Sequence, residues 1–352
     1  MNIIYCICGD GNGHVFRSNV IIEHLKQKGH KVSMLASGKA YGFLAPRYQE
    51  VAEISGLKLS YQDNRVKKSK TIASTIFQVK DLPHNIKALR SLVKDYHPDI
   101  VISDMEPIAS LIAAIYNIPL ISLDNNHMLA DTKFHVSKKD FPAYVVGKVF
   151  MDSVLPSRDF SILTTFFYPP LRRRKQKNTV LVPPIIRQEV MQAKPTVGSH
   201  ILVYQTSDGY KELLNVLKAS NRQYIIYNGN REIKADNLLF RDFSPTQIVA
   251  DLAGAAGVIT NGGFSLISEA LYLGKPIMCL PIKNQFEQII NGHMLETLGY
   301  GQMSYRLTRQ QLESWLEELT VYRQNVKKIV FDNRIVFNKL DEALKAFVRP
   351  KY

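Results

Sequence analysis

Cysteine is scarce, with three residues in a chain of 352. Cys6 and Cys8 have no further Cys or His at zinc spacing, which excludes a disulfide framework and a cysteine-rich metal centre. Both lie on a presumed strand two residues apart, so they point to one face and read as reduced core thiols. That usage suits the cytoplasm. Long apolar runs are also missing. The most apolar stretch, 108–123, is broken by Asn117 and Pro119. It reads as helix, turn and strand, not as a membrane span. No basic segment precedes the first apolar residues, so no secretory signal is expected. Acidic residues are few beside basic ones, 31 Asp and Glu against 45 Lys and Arg, for a net charge of +14. Such an excess suits an anionic partner: nucleic acid, an anionic membrane face or a phosphorylated substrate, against the plain alternative of a solvated basic surface. Basic residues do not alternate with aromatic stacking platforms, so nucleic acid is not the expected partner. No D-x-D triplet occurs, so a metal-bridged diphosphate is not indicated.

Strand and helix patterns alternate along most of the chain, which predicts parallel sheets covered by helices. The strand "NIIYCIC" leads through glycines into the helix "FRSNVIIEHLKQKG". The strands "KVSMLAS", "DIVISD" and "IPLISLD" follow with their helices. Paired prolines at 169–170 and 183–184 flank a basic run and read as a linker. A second cycle starts at "HILVYQTS". The expected domains are 1–168, a linker at 169–199, a second domain at 200–325, and a helical segment at 326–352 packing back on the first. Ligands of open parallel sheets bind beyond the carboxyl ends of the strands. The expected fold class is therefore α/β, with two facing Rossmann-like domains and the site in a cleft between them.

The loop "GDGNGH" fails the G-x-G-x-x-G dinucleotide spacing, because His14 takes the sixth position. The second strand also lacks the acidic residue that would hold a ribose. Gly9, Gly11 and Gly13 instead read as positions of φ > 0 and close backbone approach. His14 then opens a helix and suits a general base near neutral pH, or else is only a surface histidine. Asp104, at the end of "DIVISD", can fix its tautomer, with Asp124 as rival. Either acid also suits a helix cap.

The segment "GVITNGGFSLISEALYLGKPIMCLP" carries the second constellation. Glycines before a helix N-terminus make an anion site. Asn261, Gly262, Gly263, Phe264 and Ser265 line that turn, and a diphosphate fits it. Glu269 lies four residues beyond Ser265 on the same face. It reads as the acceptor for two ribose hydroxyls, or as an exposed helix glutamate. Glu287 and Gln288 follow the next strand and suit sugar hydroxyls, or helix capping.

Together, "GNGHVF" and "NGG…SLISEA…GKPIMCLP…EQIINGHMLETLGYG" resemble the GT-B glycosyltransferases. The similar families are that of the peptidoglycan GlcNAc transferase and the UDP-glycosyltransferases. The resemblance runs through nearly the whole chain and is most specific over 257–301. It implies inverting, metal-independent transfer from a nucleotide sugar, UDP-linked, to an acceptor hydroxyl, with no further cofactor. It places His14 as base, Asp104 as orienting acid, and Gly13 beside the donor. Thr206 and Ser207 fall in a loop along the donor phosphates, and Phe243 near the base. Gly263 and Ser265 fall at the diphosphate helix, Glu269 on the ribose, and Glu287 with Gln288 on the donor sugar. Two departures stand out. Asn261 replaces a histidine of the plant members, and Arg17 replaces a proline of the peptidoglycan enzyme. A UDP-sugar epimerase of the same fold, and a non-catalytic anion or nucleic-acid binder, are the alternatives. The runs at 65–70 and 172–177 flank Phe166, Phe167 and Tyr168. They suit an anionic leaflet at the inner face of the membrane and a lipid-linked, cell-envelope acceptor.

Overall fold

The structure, a computed structural model, describes residues 1–56, 61–62, 65–66, 93–205, 211–227 and 233–347. The chain forms two compact units, the first from 1–60, 67–185 and 332–352, the second from 61–66 and 186–331.

The first unit is built on a parallel sheet. Its strands in chain order are β1 (Asn2–Ile7), β2 (Lys31–Ala36) and β3 (Val51–Glu53). After a short hairpin of the second unit, β4 (Tyr61–Gln62) and β5 (Arg65–Val66), come β6 (Ile100–Asp104), β7 (Leu120–Asp124), β8 (Phe160–Thr164) and β9 (Thr179–Val182). Their spatial order is β3-β2-β1-β6-β7-β8-β9. The sheet is covered on both faces, which is why β1 and β6 are near-continuous apolar runs instead of alternating ones. Helix Asn12–Gln27 buries Val15, Ile21, Ile22 and Leu25 against it. Helix Asn333–Ala346 contributes Val336, Leu340, Ala343 and Leu344 to the same core.

The second unit repeats the plan with β10 (His200–Tyr204), β11 (Gln223–Tyr227), β12 (Ile233–Ala235), β13 (Leu238–Arg241), β14 (Gly257–Thr260), β15 (Ile277–Cys279) and β16 (Gly301–Met303). The order is β12-β13-β11-β10-β14-β15-β16, parallel but for the edge strand β12. In each sheet the strand order reverses once, between β1 and β6 and between β10 and β14. Doubly wound sheets bind ligands at that reversal. The loop "GDGNGH" leaves β1 there, and "NGG" leaves β14 there.

The expected linker 169–199 is not one linker. Residues 179–182 pair with β8 as β9, because "TVLV" is an apolar run that completes the sheet edge. Phe166 and Phe167, expected beside a membrane, are buried and stack edge to face at 4.8 Å. The basic run at 67–70 lies outside the described residues. Cys6, Cys8 and Cys279 are buried free thiols.

Candidate active site

His14 is brought to Asp104 by backbone register before any side chain acts. Ile7 pairs with Asp104 across β1 and β6, and Cys8 N donates to Asp104 O at 3.1 Å. Of the three glycines, Gly11 alone has a positive φ, +100°, as the residue preceding helix Asn12–Gln27. Gly9 serves close packing instead, since a Cβ there would lie 1.9 Å from Ser37 O. Gly13 falls inside the helix, so neither of these two supplies the left-handed turn expected of them.

His14 Nδ1 stands 2.8 Å from Asp104 Oδ1, so Asp104, not Asp124, is its partner. Arg17, one turn further along the helix, reaches the same carboxylate. Its Nε donates to Oδ2 at 2.6 Å and its Nη2 to Oδ1 at 2.5 Å. Arg17 Nη2 also stands 2.7 Å from His14 Nδ1. A carboxylate is the stronger acceptor for both groups. We therefore assign the Nδ1 proton to the bond with Asp104, which leaves the lone pair on Nε2. Ser18 Oγ donates to Asp104 Oδ2 at 3.0 Å. Burial opposes ionisation of Asp104, yet Arg17 and His14 hold its carboxyl below the usual range.

Asn125 extends the network, its Oδ1 accepting from Arg17 Nη1 at 2.5 Å. Asp124 belongs to a separate pair, accepting from His127 Nδ1 at 2.7 Å and from Ser122 Oγ at 2.5 Å. Sequence reasoning missed Arg17 and Asn125 as site residues. The signal for Arg17 was its i+3 spacing from His14 on one helix face.

Two residues past Asp104 lies Glu106, buried, its Oε2 without a hydrogen-bond partner among the described residues. Burial pushes it up from 4.5 to about 8, the amide of Ile108 and the Ser37 hydroxyl offsetting only part. The folded chain therefore keeps a proton that the unfolded chain releases above about pH 4.5. Its contribution to stability is whole below that pH and is lost progressively as the pH rises to about 8. Glu106→Gln is expected to flatten this decline, a difference on the order of a few kcal/mol across the window. Denaturant midpoints measured from pH 5 to 8 check it, and an equally steep decline in the variant would assign the slope elsewhere.

In the second unit, β14 runs into Asn261 and Gly262, and helix Phe264–Tyr272 begins after Gly263 with no side-chain cap. Gly262 has φ +94°, and a Cβ there would meet Cys279 Sγ at 2.7 Å, so only glycine fits. A Cβ on Gly263 would meet nothing within 4 Å, so the backbone is open on that side. The first turn of the helix thus presents amides without an intrahelical acceptor. Ser265 is half-buried beside that turn, while Phe264 turns into the core.

Asn261 is buried and donates to Leu280 O at 3.1 Å. Gln288 is buried and accepts from Ile282 N at 2.8 Å, holding the loop after β15. Glu287 lies half-buried in the first turn of helix Phe286–Thr297. Phe243 is exposed, its ring 6.2 Å from that of Tyr204. Thr206 and Ser207 lie outside the described residues.

Glu269 is buried, not the exposed glutamate of the plainer reading. Both its oxygens are engaged by Arg187, Nε to Oε1 at 2.7 Å and Nη2 to Oε2 at 3.0 Å. Arg187 Nη1 donates to Pro245 O at 3.0 Å. Burial raises the Glu269 carboxyl, with Arg187 offsetting part. Arg187, hidden behind "VPPII", carried no motif signal. Among the described residues, no three His, Cys, Asp or Glu gather as a metal site.

A family model described as Glycosyl transferase family 1 matches residues 1–320. An uncharacterized glycosyltransferase of Methanosarcina mazei is 26% identical, covering 94% of this chain and 93% of its own length. A second from Methanosarcina acetivorans is 24% identical with the same shares. Among solved structures, the glycotransferase of kitacinnamycin has a TM-score of 0.70 at 16% identity, covering 99% of both chains. A UDP-glucosyltransferase from Polygonum tinctorium, capable of glucosylating indoxyl, has a TM-score of 0.70 at 14% identity. It covers 99% of this chain and 98% of its own. At such identities the structural likeness speaks for the fold, which is the α/β fold of the GT-B glycosyltransferases. The family match spans both units, and the chain is a glycosyltransferase belonging to Glycosyl transferase family 1.

Proposed function

We propose that the chain transfers a sugar from a UDP-linked donor to an acceptor hydroxyl with inversion at the anomeric carbon. The observation that carries this reading is the His14–Asp104 pair, which leaves Nε2 with a lone pair while Asp104 supports the imidazolium that forms. His14 takes the hydroxyl proton, and the acceptor oxygen bonds to the anomeric carbon. The bond from that carbon to the diphosphate oxygen breaks, and UDP leaves with the electron pair. The uncapped amides at Gly263–Ser265 receive the developing charge in this reading, so no metal is invoked. Glu269, fixed by the Arg187 fork, accepts from the ribose hydroxyls through lone pairs not used by Arg187. Glu287 and Gln288 are assigned to the donor sugar in the same reading. Buried, free cysteines support a reducing, cytoplasmic setting.

Thermal stabilisation across a panel of nucleotide sugars tests the donor. A ligand at a hundred times its dissociation constant adds about 2.7 kcal/mol. UDP-sugars should raise the melting temperature, and other nucleotide sugars should do so less. Glu269→Gln should weaken UDP binding in calorimetry by roughly tenfold, the scale of one charge-assisted hydrogen bond. Unchanged affinity would remove Glu269 from the ribose.

A further inference from the structure

Helix Phe141–Val154 of the first unit is apolar on the side it turns to solvent. Phe141, Pro142, Val145, Val146 and Val149 are all exposed, Phe141 by 54% and Val149 by 62%. At 100° per residue they fall within one continuous stripe. The inward side is apolar too, where Met151 and Val154 are buried. The only charges on the helix, Lys148 and Asp152, pair with each other at 2.5 Å. A water-facing surface helix normally carries its polar residues outward, so this face is built for another medium.

Its surroundings say which. From 131 to 177 ten Lys and Arg stand against four Asp. Two of those acids are buried and a third is paired with a lysine. Asp131 is buried and held by Arg158 and Lys175, and Asp140 is buried. Asp152 is paired as above, and Asp159, which accepts from Leu120 N, is the one acid left exposed, so the cations still exceed the acids. Lys133, Lys138, Arg173, Arg174 and Lys177 are exposed. The chain ties these cations to the helix. Arg172 Nη2 donates to Tyr144 Oη at 2.6 Å, and Lys133 N donates to Pro170 O at 2.9 Å. Thr132 bridges Leu171. An apolar stripe whose one charged pair, Lys148–Asp152, is internally neutral, set beside a cluster of cations, complements the interface of an anionic bilayer: acyl chains for the valines, headgroups for the arginines. A second copy is a poorer occupant, because symmetry would set the same cations against one another.

We infer that helix Phe141–Val154 and the flanking 172–177 turn form a docking face for an anionic lipid leaflet. The face expected from the sequence is thereby redrawn: the 172–177 cations remain, while Phe166 and Phe167 give way to the valine stripe. This inference is independent of the sugar chemistry.

Sedimentation of the full chain with vesicles tests it, using phosphatidylcholine alone and phosphatidylcholine mixed with phosphatidylglycerol. The chain should pellet with the mixed vesicles and stay in solution with the neutral ones. V145E/V149E, at exposed positions, should abolish pelleting at an unchanged melting temperature. R173E/R174E should lower partitioning on mixed vesicles by roughly tenfold or more, at about fivefold per cation removed. No pelleting with mixed vesicles would overturn the inference, as would pelleting equal in V145E/V149E. A concentration-dependent dimer that V145E/V149E dissociates, with no vesicle binding, would give the stripe to a second copy and overturn it as well.

Discussion

Replacing His14 by alanine is expected to lower turnover by roughly two to four orders of magnitude, the usual worth of a positioned general base. UDP affinity measured by calorimetry should stay within about twofold, since the donor contacts proposed here all belong to residues of the second unit. The reasoning starts from the proton inventory. Asp104 is fully buried and receives donors from His14, Arg17 and Ser18. Held ionised, it keeps the imidazole proton on Nδ1 and orients the ring. Alanine removes the acceptor for the incoming hydroxyl proton and leaves the carboxylate still bonded to Arg17. The fold should therefore survive, and a melting temperature near the parent's would show that lost turnover reflects chemistry. A variant that turned over at near-parental rates, with UDP-sugar and acceptor both saturating, would transfer the base role to another group.

The second large effect concerns stability. Arg17→Met should cost about 3–5 kcal/mol, because it strands a buried carboxylate. In a unit of this size that corresponds to a fall of roughly 6–20 °C in melting temperature. Arg17 is 6% exposed and makes two hydrogen bonds to Asp104 and one to Asn125. Asp104 on its side keeps the Arg17 guanidinium firmly protonated, against the opposing effect of burial. Adding Asp104→Asn to Arg17→Met should recover part of the loss, since no uncompensated charge then remains. Calorimetric melting of the parent, single and double variants checks both signs. If the single variant melted within about 2 °C of the parent, the guanidinium would not be holding the carboxylate in place.

Much of this was legible in the sequence for identifiable reasons. Parallel strands buried on both faces are written as apolar runs, so β1, β6, β7, β10 and β14 could be located almost to the residue. The glycine turn before Phe264 and the pairing of His14 with Asp104 follow from strand ends, which open-sheet geometry turns toward ligands. Other elements were not legible. β9 hides behind arginines and between prolines, which signal a linker locally and become a strand only because β8 offers an unpaired edge. Phe166 and Phe167 follow a strand end, and whether such rings face water or core is settled by tertiary packing alone. Helix Phe141–Val154 lacks a polar face, so no amphipathic period marks it. Arg187 shows its role only when 187 and 269 are brought together across 82 residues of intervening chain.

The return of helix Asn333–Ala346 to the first core has a consequence for the order of assembly. During synthesis, the sheet from β1 to β9 leaves the ribosome complete yet without Val336, Leu340 and Leu344 to cover it. The second unit, continuous over 186–331 apart from a short hairpin, can condense while its predecessor still waits. The unit translated first is thus the one finished last, and a released chain truncated after residue 331 should show protease resistance in the later sequence and vulnerability in the earlier.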